Sequence, residues 1–101
     1  MNPDELVAHA RSRFDHAAAR RTLKEKYQAK LTVAHAGGMW SAGPELLAVL
    51  AACTGPTSVV LDLYDTPVKV VPNEFRDQVR THWQEQMNAW LIEYEELNKN
   101  R

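Results

Sequence analysis

Cysteine is nearly absent: Cys53 is the single one in 101 residues. No internal disulfide can form and a cysteine-rich zinc site is excluded, which makes the cytoplasm the default compartment. Long apolar runs are missing as well. No stretch approaches the roughly 18 residues of a membrane span. The opening MNPDELVAHARSRFD has no apolar centre of the kind a secretory signal carries. No membrane role is expected. An excess of one charge is also lacking: twelve Lys/Arg against thirteen Asp/Glu leave a formal net charge of −1. Nothing therefore pulls the whole chain toward nucleic acid or an anionic bilayer. There is no internal repeat and no low-complexity tract.

What is there is the composition of one ordinary domain, 45% apolar and 25% charged, with no room for a second core. The charge is unevenly placed. Residues 1–30 hold seven Lys/Arg against four Asp/Glu, whereas residues 31–72 and 73–101 are each net acidic.

The order of patterns predicts a small α+β domain with long N- and C-terminal helices, a short helix and a small antiparallel sheet. Asn2 is a favoured N-cap, Pro3 suits the first helical position, and Asp4 and Glu5 complement the helix dipole. Leu6, Ala10, Phe14 and Ala17 share one face, so a helix is expected from about Pro3 to about Gln28. Leu31, Val33 and His35 then alternate with small or polar residues, a strand pattern. Gly37-Gly38 supplies a reversal into Met39-Trp40, and Gly43-Pro44 opens the short apolar helix PELLAVLAAC. Val59 to Tyr64 and Val68 to Val71 make a hairpin joined by Asp65-Thr66-Pro67. After Pro72, Asn73 is placed to cap a final helix of about 25 residues, near 37 Å long.

Phe75, Val79, Trp83, Met87, Trp90, Tyr94 and Leu97 recur along that helix every three or four residues. The stripe is longer than a small sheet covers, so Trp83, Met87, Trp90, Tyr94 and Leu97 are expected at an interface with another chain. On the first helix Arg13, Arg20 and Lys24 share a face with Arg21 close by, a candidate contact for phosphates or an acidic protein. A solvated helix face explains the same residues, and no aromatic stacking platform or DNA-binding pattern stands beside them in the sequence.

Catalytic signals are weak. HAGGMWSAGPELL, His35 to Leu47, lacks the lysine or third glycine of a nucleotide-binding loop, so Gly37 and Gly38 are expected to serve a turn. His35 with Cys53 or Ser41 would make a base and nucleophile, but no local motif supports the pairing. His9 and His16 are two helical turns apart, about 10 Å, too far for one metal without other ligands. Asp62 and Asp65 read as turn residues. No catalytic residue, metal or cofactor is assigned.

At GGMWSAGPELL, VVLDLYDTPVKV and HWQEQMNAWLIEYEEL, between about Tyr27 and Glu96, the chain resembles small proteins encoded by large contractile-tailed, T-even-type phages that infect cyanobacteria. The resemblance implies a phage setting, in the host cytoplasm or the virion. It brings no established activity and no site residue. Three readings follow. The first is a non-enzymatic minor structural or assembly component that binds other proteins, phage or host, or its own copies through the C-terminal helix. The second is a regulator of gene expression that uses the basic helix weakly on nucleic acid or on transcription machinery. A small enzyme comes third.

Overall fold

The computed structural model describes residues 2–99. Helix α1 spans Pro3–Lys30, strands β1 and β2 Thr32–His35 and Gly38–Ser41, and helix α2 Pro44–Ala52. Strands β3 and β4 span Ser58–Leu61 and Pro67–Val70, and helix α3 spans Pro72–Lys99. This is the small single-domain α+β order read from the patterning, with long helices at both ends.

The N-terminal cap forms as its residue types dictate. The Asn2 side chain accepts from the Glu5 amide at 2.8 Å, and the Glu5 carboxylate accepts from the Asn2 amide, a reciprocal capping box. At the other end α1 runs two residues beyond the expected limit, to Lys30, where the Leu31 amide donates back to the Tyr27 carbonyl at 3.1 Å. Helix α3 also starts earlier than Asn73. Pro72 takes its first position and the Phe75 amide donates to the Val71 carbonyl at 3.0 Å. Pro lacks an amide hydrogen that this position would leave unused.

Two two-stranded antiparallel sheets form in place of one small sheet. Val33 pairs with Trp40 across β1 and β2, and Val60 pairs with Val68 across β3 and β4. The hairpins meet at Met39, whose carbonyl accepts from the Leu63 amide at 2.9 Å. Its amide donates not to a strand carbonyl but to the Asp62 carboxylate at 3.1 Å. A side chain thus stands where a continuous ladder would need backbone, and the two sheets remain separate.

The first reversal uses different residues from those expected. Positive φ falls at Ala36 (53°) and Gly37 (86°), between the paired His35 and Gly38. Positive φ at both central residues is the pattern of a type I′ hairpin turn. Gly38 is already strand. It is needed because a β-carbon there would lie 3.0 Å from Val68 Cγ2 and 3.1 Å from the Trp40 ring.

Trp40, Ala42, Leu50, Val68, Val70, Phe75 and Val79 form the core, with Leu31, Val33, Leu46, Leu47, Val60 and Trp83 packed around it. Trp40 is 2% exposed. Its indole N–H donates to the His35 carbonyl at 2.9 Å, and its ring meets Phe75 edge-on with centroids 5.0 Å apart. That satisfies the one polar group a buried tryptophan brings with it. The core occupies one end of a molecule 67 × 24 × 20 Å in extent. The hairpins, α2 and the start of α3 make a head, and α1 with the rest of α3 makes a stalk.

Candidate functional site: the helical stalk

The stalk is an antiparallel helix pair, as its cross-contacts show in order. His82 Nε2 lies 2.6 Å from the Lys30 carbonyl, Tyr27 stacks on Trp90, the Lys26 ammonium donates to Glu93 at 2.7 Å, and Arg20 sits over Tyr94. His82 thereby satisfies one of the carbonyls that the end of α1 leaves open. Tyr27 is 2% exposed, and its ring lies parallel to Trp90 with centroids 5.8 Å apart.

This pairing changes the reading of the α3 stripe. The sequence led to an expectation that the stripe's excess would face another chain, and much of it instead faces α1 of the same chain. Trp83 is half-buried on the head core, beside Leu31, Ala42 and Pro44. Leu97 lines a groove with Ala8, Arg11, His16 and Ala19 of α1. Met87, Trp90, Leu91 and Tyr94 line an open depression on the flank of α3, and Leu91 and Ile92 are exposed. The period of the stripe was legible, but which helix would cover it was not.

Helix α1 reaches toward the far end of the molecule with residues 3–15 all exposed, among them Leu6, Val7 and Phe14, the last at 69%. The mild apolar stripe of the N-terminal segment is therefore helical, as expected, and largely uncovered in the single chain.

The basic face and the α3 aromatics, assigned to separate roles from sequence, come together. Arg20, Arg21, Lys24 and Ala17 of α1 face Trp90 and Tyr94 of α3 across an open groove of about 290 Å³. The Arg20 guanidinium lies 5.6 Å from the Tyr94 ring centre, within cation–π range. Sequence alone offered no aromatic platform beside the basic residues. Here α3 supplies one from some 70 residues away along the chain. Arg13 lies further along α1 and lines a neighbouring groove with His9, Ser12, His16, Ala17 and Arg20. Arg20 and Ala17 line both grooves.

Below the groove, Glu93 ties the helices electrostatically. Hydrogen bonding from Lys26 and then from Tyr27 holds the Glu93 carboxyl below its ordinary value of 4.5. Hydrogen bonding to Glu93 raises Lys26 above 10.5 and, with burial second, raises Tyr27 above 10.0.

The residues weighed for catalysis have structural partners. His35 stacks flat on Phe75 with ring centroids 4.1 Å apart. The Cys53 thiol donates to the Val49 carbonyl at 3.3 Å, and Ser41 is an exposed residue of β2 opposite Thr32. Asp62 organises the β3–β4 turn, and Asp65 takes the positive φ of 58° there, a conformation aspartate tolerates. Among the described residues no group of three or more His, Cys, Asp or Glu is placed to hold a metal, and no helix is long and apolar enough to cross a membrane. Compared with known proteins, the chain matches no family model, no curated protein and no solved structure.

Proposed function

We propose that the protein is a non-enzymatic assembly component that binds other protein chains, a second copy of itself first among them, through its helical stalk. The observation that carries this reading is the tip of α1, where residues 3–15 are helical yet all exposed and display Leu6, Val7 and Phe14. A helix of that length is marginal in water alone, and helices in proteins gain most of their stability from burying an apolar face. The tip carries the apolar face and the capping box of a packed helix, so a partner supplies the missing burial.

Charge placement favours a second copy as that partner. Asp4 and Glu5 sit in the first turn, and Arg11 and Arg13 about two turns later. Two tips laid antiparallel set the acidic turn of each against the arginines of the other, around a seam of Leu6, Ala10 and Phe14. Such an arrangement is isologous, so one patch suffices for both partners. Met87 and Leu91 on α3 extend the apolar surface for further protein contacts. The phage resemblance supplies the setting of the proposal: a minor structural or assembly protein of the particle, with phage or host proteins as additional partners.

Sedimentation equilibrium tests it. The parent chain should dimerise at tens of micromolar, and Phe14→Glu should give a monomer with the head intact. Exchanging charges in a Glu5→Arg, Arg13→Glu double variant should restore association that either single change weakens. A parent that stays monomeric throughout that range would remove self-association from the reading.

A further inference from the structure

We propose that the groove between α1 and α3 binds single-stranded nucleic acid, with Trp90 and Tyr94 as the stacking wall and Arg20, Arg21 and Lys24 as the phosphate contacts. The inference goes beyond the assembly role and uses a different part of the stalk. The three cations occupy one side of α1, with Arg20 and Lys24 one turn apart, about 6 Å. Among the described residues none of the three forms a salt bridge, in contrast to Lys26 just below, which is committed to Glu93. The facing wall is aromatic and already held in place. Trp90 has one side of its ring against Tyr27, and Tyr94 is held by the Arg20 guanidinium. Ordered rings lose little further freedom when a base stacks on them, which lowers the cost of binding.

Cations beside aromatic rings are the combination that sequence-tolerant binding of single strands needs: charge to follow the backbone and π-faces for the bases. A trough of about 290 Å³ has room for a splayed base, and only an unpaired base offers its face to the two rings. A second copy of the chain is a poor occupant of this face. A two-fold partner laid on it sets Arg20, Arg21 and Lys24 against the same three cations, and like charges across an interface oppose association.

The test is fluorescence anisotropy of labelled DNA and RNA single strands of about twelve nucleotides, a length within the usual site sizes. The expected dissociation constant at low salt is about 10–100 micromolar, with a log–log salt slope of about −2 for three phosphate contacts. Arg21→Ala with Lys24→Ala should weaken binding about tenfold or more and flatten the slope by about 1.4. Tyr94→Leu, with circular dichroism confirming the fold, should weaken binding about tenfold at unchanged slope, because it removes stacking and no charge. Phe14→Glu should abolish self-association while leaving this binding in place, so the two readings fail or stand separately. Four results overturn the inference: no binding at several hundred micromolar, equal affinity for duplex of the same length, equal competition by polyglutamate, or an unaffected Tyr94→Leu variant.

Discussion

The Asp62 carboxylate accepts a hydrogen bond from the Met39 amide at 3.1 Å and so fastens the second hairpin to the first. Its other oxygen accepts from the Tyr64 amide at 2.9 Å and the Thr66 amide at 3.0 Å, which closes the β3–β4 turn. Three backbone donors converge on one ionised group, and the Met39 bond is the largest reason its carboxyl lies below the ordinary 3.8. A carboxyl lowered on folding stabilises the native state above the unfolded value, and that contribution is lost as pH falls through the folded one. Thermal melts should therefore show stability falling from near pH 4 downward. Asp62→Asn should lower the melting temperature at neutral pH, since one carboxylate oxygen becomes an amide facing a donor, and should flatten the acid slope. An acid slope unchanged by the substitution would assign the effect to other carboxylates.

Tyr27 and Lys26 set the opposite limit. Both are raised by hydrogen bonding to Glu93, so the stability they contribute is complete below about pH 10 and is lost as pH rises through their folded values. Tyr27→Phe preserves the stack on Trp90 but removes the hydroxyl. It should melt with less alkaline loss than the parent, and absorbance titration should show a late-ionising component in the parent that Tyr27→Phe lacks. Glu93→Gln should bring Lys26 back toward its ordinary value and lower Tyr27 part of the way, burial still holding the phenol up. If tyrosine ionisation is indifferent to Glu93→Gln, the link between the helices is not made through this group.

Ala36 occupies the left-handed region, φ 53°, beside Gly37 at φ 86°. A non-glycine residue there costs about 1–2 kcal/mol, and asparagine bears it best, Asn-Gly being the preferred pair for a two-residue turn of this kind. Ala36→Asn should stabilise the protein by about 1 kcal/mol, read as a rise of about 4–8 °C in melting temperature for a domain of this size. A fall would mean that the Ala36 methyl makes a contact worth more than the strain.

Much of the fold was legible because its signals are local. Asn2 with Glu5 makes a cap within one turn, and the alternation of Leu31, Val33 and His35 marks a strand, whatever the rest of the chain does. The groove was not legible. Arg20 and Tyr94 are brought together only by the antiparallel packing of α1 on α3, and no spacing rule reports a contact across more than 70 residues. The two sheets were missed for a related reason. Asp62 has an adequate role within its own turn, and nothing local reveals that its second oxygen replaces a strand carbonyl for Met39.

Gly38 separates two physical meanings of adjacent glycines. From sequence the pair 37–38 read as one flexible turn, yet only Gly37 has positive φ and open space around its Cα. At Gly38 the limit is room: a β-carbon would lie 3.0 Å from Val68 Cγ2 and 3.1 and 3.2 Å from two atoms of Trp40. Trp40 has little freedom to withdraw, being tied to the His35 carbonyl and set edge-on against Phe75. Gly38→Ala should thus destabilise by about 1–3 kcal/mol through overpacking, whereas Gly37→Ala should cost about 1–2 kcal/mol through backbone strain. The causes are separable by a double-mutant cycle with Val68→Ala. Val68 is in the core, so its truncation alone destabilises, but it also vacates the space that the new methyl needs. The cost of Gly38→Ala should shrink in the Val68→Ala background, giving a favourable coupling of about 0.5 kcal/mol or more. Gly37→Ala should add to Val68→Ala without coupling. Strict additivity at Gly38 would show that its methyl is accommodated by movement of the Trp40 ring, and that the close approach is not what requires glycine there.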